Sequence, residues 1–150
     1  MAELFEGEFM LRQGVREFFA KELEPIAEKM EKEGQPPKEL IRKMGSLGYL
    51  GTFFPEEYGG SGLPLLSRAI IGEETAKINA GFDITLFSDV VLFARAVLLH
   101  GTEAQKRKYM VPVIRGEEIG AYAITEPEAG SDAFGIKSTA VKDGNHFRIN

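Results

Sequence analysis

Apolar residues recur at helical spacing through the first part of the chain. From about Phe5 to Met30 the positions Phe9, Val15, Phe18, Phe19, Leu23, Ile26 and Met30 follow that rhythm, which predicts amphipathic helix. Pro25 interrupts the run; it removes an internal hydrogen bond and so predicts a break into two helices. Gly34-Gln35-Pro36-Pro37 closes the segment and lets a new helix start near Pro37. That helix carries Leu40, Ile41, Met44 and Leu47, with Gly48 as its C-terminal cap. The charged run Lys29 to Lys32 reads as a solvated face.

Between Tyr49 and Pro64 the rhythm lapses into loop, with a short extended stretch at Leu50-Gly51-Thr52-Phe53-Phe54. It returns from Leu65 to about Ile78, where Ala69, Ile70, Thr75 and Ala76 are predicted inward and Glu73, Glu74 and Lys77 outward. Phe82 to Leu99 is apolar round most of its circumference, the mark of a helix buried on several sides. Gly101 ends it. Thr102 then caps another helix with Glu103 in its first turn. The basic patch Lys106, Arg107 and Lys108 reads as a solvated face rather than a phosphate site. Pro112 and Gly116 are predicted to end the helical half.

Beyond Gly116 the period changes to two. A strand is predicted at Ala121 to Thr125, another at Ser138 to Val141, then a turn at Asp143-Gly144-Asn145 and a return strand at Phe147 to Ile149. The fold class is therefore mainly α, then β: an N-terminal helical domain over 1–116, then an incomplete β-domain over 117–150. A lone hairpin is marginal in water, so the expectation is a chain cut inside its second domain. Repeats and low-complexity segments are absent.

Composition narrows the function. At 150 residues, with 43% hydrophobic and 27% charged, the chain sits in the globular range. Its 23 acidic against 18 basic residues argue against a non-specific nucleic-acid binder. The lack of cysteine excludes disulfides and thiolate metal sites. His100 and His146 are too few and too isolated for a metal centre. The acidic start Met1-Ala2-Glu3-Leu4-Phe5-Glu6-Gly7-Glu8 has no signal-peptide apolar region. No apolar run approaches the ~20 residues of a membrane span. The expectation is a soluble, cytoplasmic protein.

The candidate chemistry lies in Ala121-Tyr122-Ala123-Ile124-Thr125-Glu126-Pro127-Glu128-Ala129-Gly130-Ser131-Asp132. Pro127 stops the strand, Gly130 permits positive φ and close approach, and Thr125 and Ser131 offer hydroxyls. Free N–H groups in such a loop can form an anion-binding concavity. An ordinary strand-to-turn connection fits the same residues, and the residues alone leave both readings open. Glu126 and Glu128 read as loop carboxylates, with Glu126 bonding local backbone. Gly59-Gly60-Ser61-Gly62 fails as a Walker loop, as a dinucleotide fingerprint and as a nucleophile elbow; it reads as a turn into a helix. Asp83 opens the apolar helix either as a first-turn carboxylate or as an acid facing a pocket.

Tyr122 to Asp132 followed by Gly135-Ile136-Lys137 resembles the flavin-binding signature of the acyl-CoA dehydrogenase family. Phe54-Pro55-Glu56-Glu57-Tyr58-Gly59-Gly60-Ser61-Gly62 resembles that family's N-domain loop, and His100-Gly101-Thr102-Glu103-Ala104-Gln105-Lys106 with Tyr109 and Pro112 resembles the segment before the signature. The resemblance implies a helical bundle followed by a β-barrel-like domain, with FAD as cofactor and α,β-dehydrogenation of an acyl-CoA thioester as the reaction. It implies cofactor contacts at Tyr122, Ala123, Ile124, Thr125, Gly130 and Ser131, with Thr125 on the pyrimidine edge and Ser131 also near the substrate. It implies a line of alternatives too: an acyl-CoA oxidase, a cyclic acyl-CoA dehydrogenase, or a non-catalytic interaction module should the chain end at Asn150. An electron-transfer flavoprotein and a homotetramer are the implied partners.

In the glutaryl-CoA branch of that family an arginine matches Asp83, so the carboxylate argues against a dicarboxylate substrate through like-charge repulsion. The same acid is a candidate second base. The family's main base, a later glutamate, matches no position here. The chain alone is expected to bind flavin weakly if at all and not to turn over.

Overall fold

The computed structural model describes residues 6–150, so the predicted helix start near Phe5 lies outside the described residues. Helix α1 (Glu6–Glu22) buries Val15 and Phe19, and Leu23 follows them into the core. Phe9, predicted inward, is 60% exposed; Leu11 is the first described α1 residue to reach the core. At Pro25 the chain makes a 3-10 turn (Glu24–Ile26) and restarts as α2 (Ala27–Glu33), the predicted break. Gly34, at φ 64°, closes α2 with its N–H on the Met30 carbonyl.

Helix α3 (Lys38–Ser46) starts after Pro37 and buries Leu40, Ile41 and Met44. Leu47 does not join them: the helix has ended and the residue is 56% exposed. Gly48, at φ 78°, lets the Tyr49 N–H return to the Met44 carbonyl at 2.9 Å. That left-handed step is the one a glycine makes at least cost.

Residues 50–54 are not extended. The Gly51 N–H bonds the Gly48 carbonyl and the Phe54 N–H bonds Gly51, so the stretch winds in turns and buries Leu50 and Phe54. After a 3-10 turn (Glu56–Tyr58) the chain folds back on these turns. The N–H groups of Gly60, Ser61, Gly62 and Leu63 bond the carbonyls of Pro55, Gly51, Phe54 and Thr52 at 2.8–3.1 Å. A Cβ on Gly60 would stand 2.1 Å from the Phe54 carbonyl oxygen. The glycines serve close packing, and the loop's donors are already spent.

Helix α4 (Leu66–Ala76) packs on α1. It buries Ile70, Ile71, Thr75 and, against expectation, Glu74, while Ala69 and Ala76 face outward. A long rod follows, built of α5 (Ala80–Leu86), a π-helical stretch (Phe87–Ala94) and α6 (Arg95–His100). Its buried stripe is Phe82, Leu86, Val90 and Ala94, each four residues apart. In a pure α-helix such a stripe drifts about 40° per step; the wider π turns hold it in line. The rod has an open side as well. Ile84 is 63% exposed and Leu99 60%, so it is not buried all round.

A second rod comprises α7 (Glu103–Gln105), a π-helical stretch (Lys106–Met110) and α8 (Val111–Ile114). Thr102 and Gln105 form a reciprocal capping box at its start. Pro112 does not end this rod. It sits in the first turn of α8, directly after the π stretch, where an altered hydrogen-bond register accommodates its missing N–H.

The last elements are β1 (Ala140–Asp143) and β2 (His146–Ile149), antiparallel with Asp143 opposite His146. Gly144, at φ 62°, opens their two-residue turn. The strand predicted at Ala121 to Thr125 is absent. Among the described residues no strand lies beside it, and it makes no backbone hydrogen bonds.

Candidate functional site

The chain leaves the helical body through two glycines. A Cβ on Gly116, which has φ 69°, would stand 2.4 Å from the Ile41 carbonyl oxygen. The Gly120 N–H then donates to Asp89 Oδ1 at 2.5 Å. Beyond it residues 121–125 are exposed, with Tyr122 at 47% and Ile124 at 43%.

At Pro127 the chain turns tightly, and Glu126 and Ala129 exchange two backbone hydrogen bonds of 3.0 and 3.2 Å. The Glu126 carboxylate closes the loop by accepting the N–H groups of Lys137 at 2.9 Å and Ser138 at 3.1 Å. Those donors, Lys137 first, hold its carboxyl below the usual range. Glu126 thus bonds local backbone, as its sequence suggests. Glu128 pairs with Lys137.

Gly130 is not at positive φ, and the freedom expected of it goes unused. What it leaves is room: a Cβ there would meet nothing within 4 Å. The hydroxyls of Thr125 and Ser131 are on exposed residues and bond nothing among the described residues. Tyr122, Ala123, Ile124, Thr125, Gly130 and Ser131 therefore lie exposed on either side of the closed turn 126–129, and among the described residues their own donors and acceptors bond nothing. Such an arrangement fits a ligand rich in hydrogen-bonding edges, which FAD is.

Asp83 stands in the first turn of α5, below the Asn79 cap that accepts the Phe82 N–H at 2.7 Å. Its carboxylate meets Arg68 of α4, with Nη2 to Oδ1 at 2.8 Å. Arg68 is buried, and its Nε has no hydrogen-bond partner among the described residues. Gly72 makes room for the pair, since a Cβ there would lie 2.6 Å from Arg68 Nη1 and 3.1 Å from Asp83 Oδ1.

The pair forms part of the wall of a pocket of about 480 Å³, whose other lining includes Leu65, Ala69, Ala76, Phe87 and Val91. Mainly apolar walls, with this pair and Glu73 as the charged groups on them, can take an acyl chain. No residue of 117–150 lines this pocket, so the chain does not itself bring Asp83 together with Thr125 or Ser131. The rod 80–100 links the two places, with Asp83 near its start and Asp89 further along.

The remaining buried carboxylate, Glu74, belongs to neither place. It accepts from Arg12 at 2.7 Å, Arg16 at 2.9 and 3.1 Å and Lys77 at 2.7 Å. These donors, Arg16 foremost, pull its carboxyl down to about 2 despite burial. It clamps α1 to α4. Among the described residues no cluster of His, Asp and Glu could hold a metal ion, and no helix is long and apolar enough to cross a membrane.

The sequence alone singles out neither Arg68 nor Asp89, and it predicts Glu74 outward where the structure buries it. Arg68 shares a helical stripe with Gly72 and Ala76, and two small residues beside a long one signal a pocket wall. Asp89 had the same signal as Asp83, a lone acid in an apolar rod.

The family model described as "Acyl-CoA dehydrogenase, N-terminal domain" matches residues 6–117. Among curated relatives, the short-chain-specific acyl-CoA dehydrogenase of Clostridium acetobutylicum is 43% identical over 141 residues, which is 94% of this chain and 37% of that protein. One solved structure is described as "Electron transferring flavoprotein of Acidaminococcus fermentans: Towards a mechanism of flavin-based electron bifurcation". A chain in it matches with a TM-score of 0.91 and 41% identity, over 100% of this chain and 40% of its own length. The acyl-CoA dehydrogenase of Bacillus anthracis complexed with FAD matches with a TM-score of 0.89 and 36% identity, over 99% of this chain and 26% of its own. The chain thus spans well under half the length of these relatives.

Proposed function

The chain belongs to the acyl-CoA dehydrogenase family, and from that premise we propose that it forms the N-terminal part of a FAD-dependent acyl-CoA dehydrogenase. In this reading 1–116 is a helical domain and 117–150 opens a β-domain. What carries the cofactor assignment is the exposed stretches 121–125 and 130–131, whose N–H groups and two hydroxyls bond nothing among the described residues. Tyr122, Ala123, Ile124, Thr125, Gly130 and Ser131 are the residues that would hold FAD. Bound there, the cofactor supplies the two-electron oxidation of an acyl thioester to its α,β-unsaturated form.

This chain's own residues have simpler tasks. The pocket between α4 and the rod takes the acyl chain against Leu65, Phe87 and Val91. Asp83 stays on its wall as the candidate second base, fixed by Arg68. That pairing revises one expectation. With a guanidinium at 2.8 Å the Asp83 charge is compensated, and Glu73 on the same wall is paired with Arg12 at 2.6 Å. Like-charge repulsion alone therefore no longer argues against a dicarboxylate; the cost of separating a half-buried pair does. Ser131 is proposed to touch the substrate as well. An electron-transfer flavoprotein is the proposed redox partner, supported by the Acidaminococcus structure, and a homotetramer the proposed assembly.

The test is spectroscopic. An enzyme carrying this chain is expected to purify with flavin absorbance that bleaches when butyryl-CoA is added without oxygen. Colourless protein that ignores added FAD overturns the proposal.

A further inference from the structure

Asp89 is 1% exposed, in the π-helical stretch Phe87–Ala94. Among the described residues its Oδ1 accepts a single hydrogen bond, from the Gly120 N–H at 2.5 Å, and its buried Oδ2 has no partner. A buried carboxyl so thinly served costs free energy, and an apolar side chain would occupy the site at less cost. Its one hydrogen bond among the described residues is the bond to Gly120.

That bond falls at a junction. Gly120 is the last residue before 121–125, which among the described residues makes no backbone hydrogen bonds of its own. The same peptide is held from a second side, because a Cβ on Gly120 would stand 2.2 Å from Cδ1 of the Phe93 ring. Asp89 and Phe93, four residues apart on one rod, grip one glycine between them.

We propose that Asp89 is a positioning residue: with the Phe93 ring it fixes the peptide at Gly120 and so aims the donor segment 121–131 that receives the cofactor. The aim of the segment rests on the reading under "Proposed function"; the grip on Gly120 does not. Burial pushes the Asp89 carboxyl up to about 6, against the lowering effect of the Gly120 N–H. The neighbouring charges are otherwise engaged. Asp83 faces Arg68, Arg107 faces Glu103, Lys106 lies over the Tyr58 ring, and Arg95, His100, Lys108, Glu117 and Glu118 are exposed.

The test is amide NMR on the full chain, with and without FAD. The Gly120 amide shift is expected to titrate with a midpoint near 6. Asp89→Asn keeps an acceptor oxygen and abolishes that titration while leaving the amide slow to exchange. Asp89→Leu speeds Gly120 exchange about tenfold or more, and it weakens the shifts that FAD induces in 121–131, while the helical circular dichroism persists. A Gly120 amide that does not titrate, or that Asp89→Leu leaves protected, overturns the grip. If Asp89→Leu does not fold, Asp89→Asn decides: titration that survives in it overturns the proposal. If Gly120 titrates as stated but an enzyme carrying this chain purifies colourless and ignores added FAD, the grip stands and the cofactor reading fails.

Discussion

The helical body over 6–116 and the segment over 117–150 both carry apolar side chains at regular intervals, yet only the body covers them. Phe19, Phe54 and Phe82 are 2% exposed or less, whereas Phe134 is 102% exposed, Phe147 68% and Ile149 75%. Periodicity dictates the kind of element and says nothing about whether its partner lies within reach. A helix satisfies its own backbone and needs only a neighbour for one face. A strand needs a neighbour for its hydrogen bonds and a layer for its side chains. Carboxylates divide the same way. In the body Glu74 draws in Arg12, 62 residues away, while in the segment Glu126 binds backbone only 11 and 12 residues on.

The contrast breaks or holds first on two phenylalanines. Phe19→Ala removes a ring buried among core side chains and is expected to cost about 3–5 kcal/mol. Phe147→Ala removes an exposed ring and should stay within about 0.5 kcal/mol. Urea melts of the two variants measure both. Equal losses would mean that the segment is covered in solution and that the contrast is wrong.

Glu74 gives the next effect. Glu74→Ala is expected to cost about 1–3 kcal/mol, because three donors lose a common buried acceptor; Arg16 and Lys77 are half exposed and rehydrate. The sign with pH follows from the lowered carboxyl. Its contribution is complete above the ordinary value of 4.5 and is lost as pH falls toward about 2. Asp89, raised from 3.8 to about 6, works the other way: its contribution falls as pH rises between those values. Melts from pH 2 to 8 should show the acid-side loss shrink in Glu74→Gln and persist in Asp89→Asn. An unchanged acid limb in Glu74→Gln would remove the clamp from the account.

How much could be read beforehand follows the range of each interaction. The break at Pro25, the left-handed glycine at position 48 and the Thr102 cap are local, and each stands where its residues put it. Glu74 was misread because Glu73, Glu74 and Lys77 look like one charged face. The helical period places Glu74 beside Ile70 and Ile71, and only distant arginines make that burial tolerable. The alternation at Ala121 to Thr125 is real, but among the described residues no strand flanks it. At the candidate site the residue types were legible. The Arg68–Asp83 pair and the hold of Asp89 on Gly120 were not, since each joins elements whose contact is decided by packing.

The smallest effect is the sharpest check on whether body and segment are separate units of stability. Glu126→Ala deletes the carboxylate that closes the signature loop, freeing the Lys137 and Ser138 N–H groups. Because the loop is exposed, water replaces the lost acceptor and the global melting temperature should not move. Exchange at those two amides should nevertheless quicken about tenfold, while amides of α1 and α4 keep their protection. Local opening without global loss is what a loosely joined segment shows. A lowered melting temperature would mean instead that the loop folds with the helices, and that Glu126 stabilises more of the molecule than its own turn.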